Sequence, residues 1–177
     1  MNLPNKLSIL RVCCIPAIVG LLYGTAPWCR WTALALFCLA SFTDYLDGHL
    51  ARKHQMITDF GKFIDPVADK LLVLTTLIML VYLGKMPAWI VIVILCRELA
   101  VDGLRMVAVG QGKVIAAGPL GKWKTTFQMV TIVCILLLDK ACFATWYTGV
   151  LTGISVALTL VSAVDYFVRN RSVFAEK

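Results

Sequence analysis

Long apolar stretches recur along the chain at nearly regular intervals: approximately Leu7–Tyr23, Trp31–Ala51, Phe63–Leu83, Ala88–Val109, Trp123–Leu138 and Thr145–Val168. Each is close to the ~20 residues that a helix needs to cross the hydrocarbon core of a bilayer. The breaks carry turn chemistry: Gly24-Thr25-Ala26-Pro27, Gly84-Lys85-Met86-Pro87 and the glycine-bearing segment Gly110–Gly121. No alternation of apolar and polar positions is sustained over many segments, which argues against a barrel. The pattern predicts an all-α integral membrane protein with six transmembrane helices, forming one domain over residues 1–177.

Composition sharpens this picture. Of the 177 residues, 60% are hydrophobic and 15% charged, against roughly 45–50% and about 25% in an ordinary soluble domain. Such a chain is too apolar to be disordered, and a core of this size could not hide that much apolar surface from water. The formal net charge of +7 would suggest nucleic acid in a soluble protein. Its placement suggests topology instead. With the amino terminus cytoplasmic, 14 of the 17 Lys and Arg fall on the inner side or at inner helix ends, leaving Arg30, Lys85 and Lys140 outside. Both termini are therefore expected in the cytoplasm, with the bilayer as partner and no nucleic acid. Met1–Lys6 leads into the first apolar run without a cleavage pattern, so that span is expected to stay.

Aromatic residues near span ends, Trp28, Trp31, Trp89, Trp146 and Tyr166, read as anchors at the membrane interface. The seven cysteines show no C-x-x-C pair and no Cys/His zinc spacing, which predicts neither a disulfide framework nor structural zinc.

The informative residues are acidic. The second run offers only Trp31–Thr43 before Asp44, and the third only Leu71–Leu83 after Asp69-Lys70, both too short to span. Both helices must continue past their carboxylates, which places Asp44, Asp47, Asp65 and Asp69 at or below the inner interface. Embedding an ionised Asp costs about 2.5 kcal/mol or more. Asp44 and Asp47 are three apart, Asp65 and Asp69 four apart, so each pair shares a helical face. The short Arg52–Gly61 connection makes the two helices antiparallel neighbours. Ion pairs with Arg52, Lys53, Lys62 and Lys70 could compensate one or two of these charges. Four converging carboxylates are better matched by one or two hard divalent cations, Mg²⁺ or Mn²⁺, a clamp suited to phosphoryl displacement. Gly48, Gly61 and Ala51 leave space beside them. A cation-transport path would align charges across the membrane, whereas these lie at one depth on one side.

The segment Asp44-Tyr-Leu-Asp47-Gly48-His-Leu-Ala51-Arg52, followed after eight residues by Gly61-Lys-Phe-Ile-Asp65-Pro-Val-Ala-Asp69, resembles the signature of the CDP-alcohol phosphatidyltransferase family, D-x2-D-G-x2-A-R-x8-G-x3-D-x3-D. All eight signature positions match. Pro4-Asn5-Lys6-Leu7 with Arg11, Cys96-Arg97-Glu98, Gly103-Leu104-Arg105 and Gly121-Lys122-Trp123-Lys124-Thr125 look like the branch that makes phosphatidylglycerol phosphate. The resemblance extends through about Gln128.

The resemblance implies six transmembrane helices around a polar cavity open to the inner face, a homodimer, and transfer of the phosphatidyl group of CDP-diacylglycerol to an alcohol with release of CMP. For this branch the alcohol is sn-glycerol 3-phosphate; serine or inositol phosphate would mark a sibling enzyme. It further implies that Asp44, Asp47, Asp65 and Asp69 hold the divalent ions, that Asp69 is the general base, and that Asp44, Gly48, Ala51 and Arg52 hold the cytidine nucleotide. A bacterial inner membrane is the implied location. Arg105, Lys113, Lys122 and Lys124 cluster around the fourth-to-fifth connection and could bind the acceptor's phosphate, although each also fits as a topology residue. Arg97 beside Glu98 reads as an internal ion pair. Asp102 and Asp165 receive no role.

Overall fold

The computed structural model describes residues 3–54, 59–112, 115 and 118–171; side chains are described for these except within 3–7, 44–54, 59–63 and at 119. The described residues form six helices and no strand: α1 (Leu3–Tyr23), α2 (Pro27–His54), α3 (Asp59–Tyr82), α4 (Ala88–Gly110), α5 (Pro119–Leu138) and α6 (Trp146–Arg169). The number and order agree with the apolar pattern. The largest boundary differences are four residues, at the starts of α1, α2, α3 and α5.

Local chemistry accounts for the breaks. Pro27 occupies the first position of α2, where its missing N–H costs nothing. Gly84 takes a left-handed φ of 67° in the turn before α4, and Pro87 caps that helix in extended conformation. Thr145 and Thr148 form a reciprocal capping box at the start of α6. The Cys142 N–H donates to the Lys85 carbonyl at 2.8 Å, tying the α5–α6 connection to the α3–α4 turn. Cys142 is itself buried, and burial pushes its thiol above the ordinary value, with its backbone hydrogen bond opposing.

Contacts gather into two compact units, residues 1–83 with 136–139 and residues 84–135 with 140–177. In the first, α1 packs along both α2 and α3, which touch each other over a shorter stretch. Its core contains Ile18, Leu22, Phe37, Leu72, Leu77 and Leu80. At the α1–α2 turn, a Cβ on Gly24 would lie 2.7 Å from the Cys29 Sγ and 3.1 Å from the Leu21 carbonyl oxygen.

In the second unit, α4 packs on α6. The polarity of α6 is inverted relative to a helix in water. Its buried residues are Thr148, Thr152, Ser155, Thr159, Ser162 and Tyr166, while Val150, Ile154, Leu160, Val161, Val164 and Val168 are exposed. Many buried hydroxyls donate back to their own helix, as Thr152 to the Thr148 carbonyl (2.8 Å) and Thr159 to the Ser155 carbonyl (2.7 Å), the means by which an apolar surrounding tolerates them. Among the described residues, α6 is long and apolar enough to cross a membrane, and Ser8–Tyr23 is a shorter apolar helix. Described parts of α3 and α4 carry Asp65, Asp69 and Lys70, and Arg97, Glu98, Asp102 and Arg105, respectively.

The two glycines of the first hairpin should respond oppositely to alanine. Gly20 lies within α1 with no atom within 4 Å of a new Cβ, so Gly20→Ala should stabilise by up to ~1 kcal/mol. Gly24→Ala should destabilise by about 1–3 kcal/mol through overpacking. Thermal unfolding in detergent measures both; a Gly24→Ala midpoint at or above that of the parent would refute the close packing.

Candidate active site

Asp65 and Asp69 stand one turn apart on α3, both half-buried. Ser8, fully buried on α1, donates its hydroxyl to Asp65 Oδ1. Three residues along the same helix, the Arg11 side chain is 1% exposed and its Nε donates to the Ala40 carbonyl of α2 at 3.2 Å. The helix preceding the signature thus presents one polar side chain to each of the two helices that carry it. Pro66, immediately after Asp65, has no N–H to return to the carbonyl of residue 62.

Asp44, Asp47, Gly48, Ala51 and Arg52 belong to the C-terminal part of α2, where their side chains lie outside the described residues. Lys113 also lies outside them. Among the described residues, no three His, Cys, Asp or Glu side chains converge on a point. The described donor pair, Asp65 and Asp69, is made of carboxylate oxygens, which suit hard divalent ions such as Mg²⁺ or Mn²⁺.

The cations of the second unit separate into distinct environments. Lys124 is 3% exposed and its ammonium is paired with Glu98, itself 7% exposed. Arg97 completes the cluster, Nη1 lying 3.3 Å from Glu98 Oε1 and Nη2 donating to Ser162 Oγ at 3.1 Å. The internal Arg97–Glu98 pair is as expected; the second cation on the same carboxylate was hidden by its distance along the chain. Lys122, two residues before Lys124 on α5, is exposed. Arg105 is half-buried, its Nε donating to the Tyr166 hydroxyl at 3.0 Å and its guanidinium 5.6 Å from the centre of that ring.

Tyr166 therefore departs from its expected role as an interface anchor. Trp28, Trp31, Trp89 and Trp146 are 62%, 49%, 54% and 79% exposed, whereas Tyr166 is 7% exposed and packs with Val101, Leu104 and Ala108 of α4. Its place near a helix end was the same signal as theirs, but it falls on the buried face of α6. Asp165, left without a role, accepts from Arg169 Nε at 2.6 Å one turn on. Ser8 went unnoticed because a single serine in an apolar helix carries no pattern; only its three-residue spacing from Arg11 could have pointed to it.

With this geometry in place, comparison with known proteins identifies the class. The sequence model of the CDP-alcohol phosphatidyltransferase family matches residues 1–161. The chain belongs to this family. It is 40% identical to the CDP-diacylglycerol–glycerol-3-phosphate 3-phosphatidyltransferase of Bacillus subtilis (strain 168), covering 96% of this chain and 95% of that protein. The protein of the same name from Rickettsia bellii (strain RML369-C) is 35% identical, over 98% of this chain and 97% of its own length. A probable phosphatidylglycerophosphate synthase of Mycobacterium tuberculosis (strain ATCC 25618 / H37Rv) is 40% identical, over 95% and 81%.

Glu98 serves two cations, so its loss should cost more than the loss of either. Glu98→Ala removes the carboxylate that both Arg97 and Lys124 pair with and should destabilise by about 3–5 kcal/mol. Lys124→Met leaves Glu98 with Arg97 and should cost clearly less. Denaturation midpoints of the two variants test the order; equal losses would mean that the carboxylate is not shared.

Proposed function

We propose that this chain transfers the phosphatidyl group of CDP-diacylglycerol to sn-glycerol 3-phosphate, yielding phosphatidylglycerol phosphate and CMP. The observation that carries this reading is similarity over nearly the whole chain to relatives named for that transfer. The presence of both acidic and basic side chains supports it, because the reaction needs both kinds: carboxylates to take up a proton and hold the divalent ions, and cations to hold an anionic acceptor.

Asp44, Asp47, Asp65 and Asp69 would hold one or two divalent ions, Mg²⁺ or Mn²⁺, whose charge would neutralise the phosphates during displacement. Asp69 accepts the proton of the acceptor hydroxyl. The oxygen so freed bonds to the phosphorus that carries diacylglycerol, the bond from that phosphorus to the CMP oxygen breaks, and CMP departs with the electron pair. Ser8 holds one oxygen of Asp65 in a fixed direction. Asp44, Gly48, Ala51 and Arg52 cradle the cytidine nucleotide, the small residues letting it lie against α2.

Lys113, Lys122 and Arg105 bind the acceptor's phosphate. Lys124 joins them chiefly through the shared cluster, since its ammonium is already paired with Glu98.

The setting is a bilayer. Six spans follow the apolar runs, cytoplasmic termini the basic-residue bias, and a polar cavity open to the inner face the family resemblance, while the inverted polarity of α6 supports an apolar surrounding. A lipid-bearing substrate then reaches the carboxylates sideways from the membrane. A bacterial inner membrane and a homodimer complete the reading.

The direct test uses detergent-purified protein with CDP-diacylglycerol, labelled glycerol 3-phosphate and Mg²⁺ or Mn²⁺. Label should enter lipid as CMP is released. Transfer to serine or inositol phosphate in its place would assign another acceptor. Asp69→Asn should lower turnover by about 10²–10⁴-fold with an unchanged unfolding midpoint; full activity in that variant would remove Asp69 as the base.

A further inference from the structure

We propose that Tyr166, on the helix that carries no signature residue, is a positioning residue that sets the Arg105 guanidinium for the acceptor's phosphate. The inference rests on the reading of Arg105 as a phosphate ligand and adds the group that aims it. Two contacts define the relation. Arg105 Nε donates to the Tyr166 hydroxyl at 3.0 Å, and the guanidinium carbon lies 5.6 Å from the ring centre. A guanidinium has five N–H donors in one plane. Engaging the single Nε donor leaves the four on the two terminal nitrogens, the fork that matches two oxygens of one phosphate.

A free arginine side chain would lose much rotamer freedom on binding an anion, and a residue that orders it beforehand removes that cost. Tyr166 is suited to the task because it is immobilised itself. The ring is 7% exposed and packs against Val101, Leu104 and Ala108, with Ile115 and Phe167 at the edge of the cluster. Its backbone carbonyl accepts from the Asn170 side chain at 2.7 Å, at the end of α6. The phenol accepts from Arg105, so its own O–H remains a donor that can face the same anion. One turn earlier on α6, Ser162 receives Arg97. The buried face of α6 thus receives both arginines of α4: Arg97 meets Ser162 while also pairing with Glu98, whereas Arg105 meets the neutral Tyr166 phenol.

Tyr166→Phe tests the inference because it keeps the ring and its packing and removes the hydroxyl. The expected result is a roughly tenfold rise in KM for glycerol 3-phosphate, with KM for CDP-diacylglycerol and the unfolding midpoint unchanged. Arg105→Lys, which keeps charge but loses the fork, should raise the same KM at least as far, and adding Tyr166→Phe to it should change nothing more. An unchanged acceptor KM in Tyr166→Phe, with a raised one in Arg105→Lys, would overturn the positioning role and leave the phosphate site standing. Additive effects in the double variant would overturn it equally, since Tyr166 would then act apart from Arg105. An unaltered acceptor KM in Arg105→Lys would overturn the inference together with the reading of Arg105 on which it rests.

Discussion

A polar side chain carried into the interior on an apolar helix must find its partner there, and the first unit is arranged around two such side chains on α1. Ser8 and Arg11 are buried within helices that otherwise meet through Ile, Leu and Phe. Ser8 reaches the α3 carboxylate Asp65, and Arg11 reaches a main-chain carbonyl of α2. An unpartnered buried donor costs on the order of 1–3 kcal/mol, and more when it is charged. Sliding α1 against either neighbour would incur that cost at once. The two hydrogen bonds therefore fix the register of the helices that carry the acidic signature, in a way that apolar packing alone, which tolerates many arrangements of similar volume, would not.

The same constraint operates in the second unit with charge in place of a hydroxyl. Glu98 is enclosed with Arg97 and Lys124, and the three are held further by Ser162. Gln128 donates to Thr159 at 3.3 Å on the same face of α6. These contacts link α4, α5 and α6 by polar rather than apolar complementarity, with aliphatic residues turned outward. A helix with buried threonines and exposed valines gains nothing from water. It gains from an apolar solvent, in which satisfied hydroxyls and amides must face inward. The polarity of α6 is thus both a packing feature and an indication of the medium.

Their partners divide the basic residues that composition lumps together. Lys124 and Arg97 neutralise an internal carboxylate, Asp165 and Arg169 pair along the end of α6, and Arg30 pairs with Asp139, which adopts a left-handed φ of 54°. Arg105 instead meets a neutral phenol. A neutral partner orders a guanidinium without cancelling its charge, which is the condition an anion-binding arginine needs. Lys122, exposed two residues before a buried lysine, shows how little the residue type alone says.

The alternation of apolar runs with glycine and proline breaks was enough to determine the number, order and approximate limits of the helices, because a stretch of some twenty apolar residues has few other stable states. The spacing of the aspartates was equally legible, since residues three or four apart on a helix must share a face. The partner of each polar group was not. That Ser8 meets Asp65, that Lys124 shares Glu98 with Arg97, and that Tyr166 is buried where it meets Arg105 are contacts between residues 57, 26 and 61 positions apart. No local periodicity encodes such distances. They arise only when helices pack, and the tertiary structure chooses among them because a buried donor or charge has one satisfactory neighbour where an apolar side chain has many.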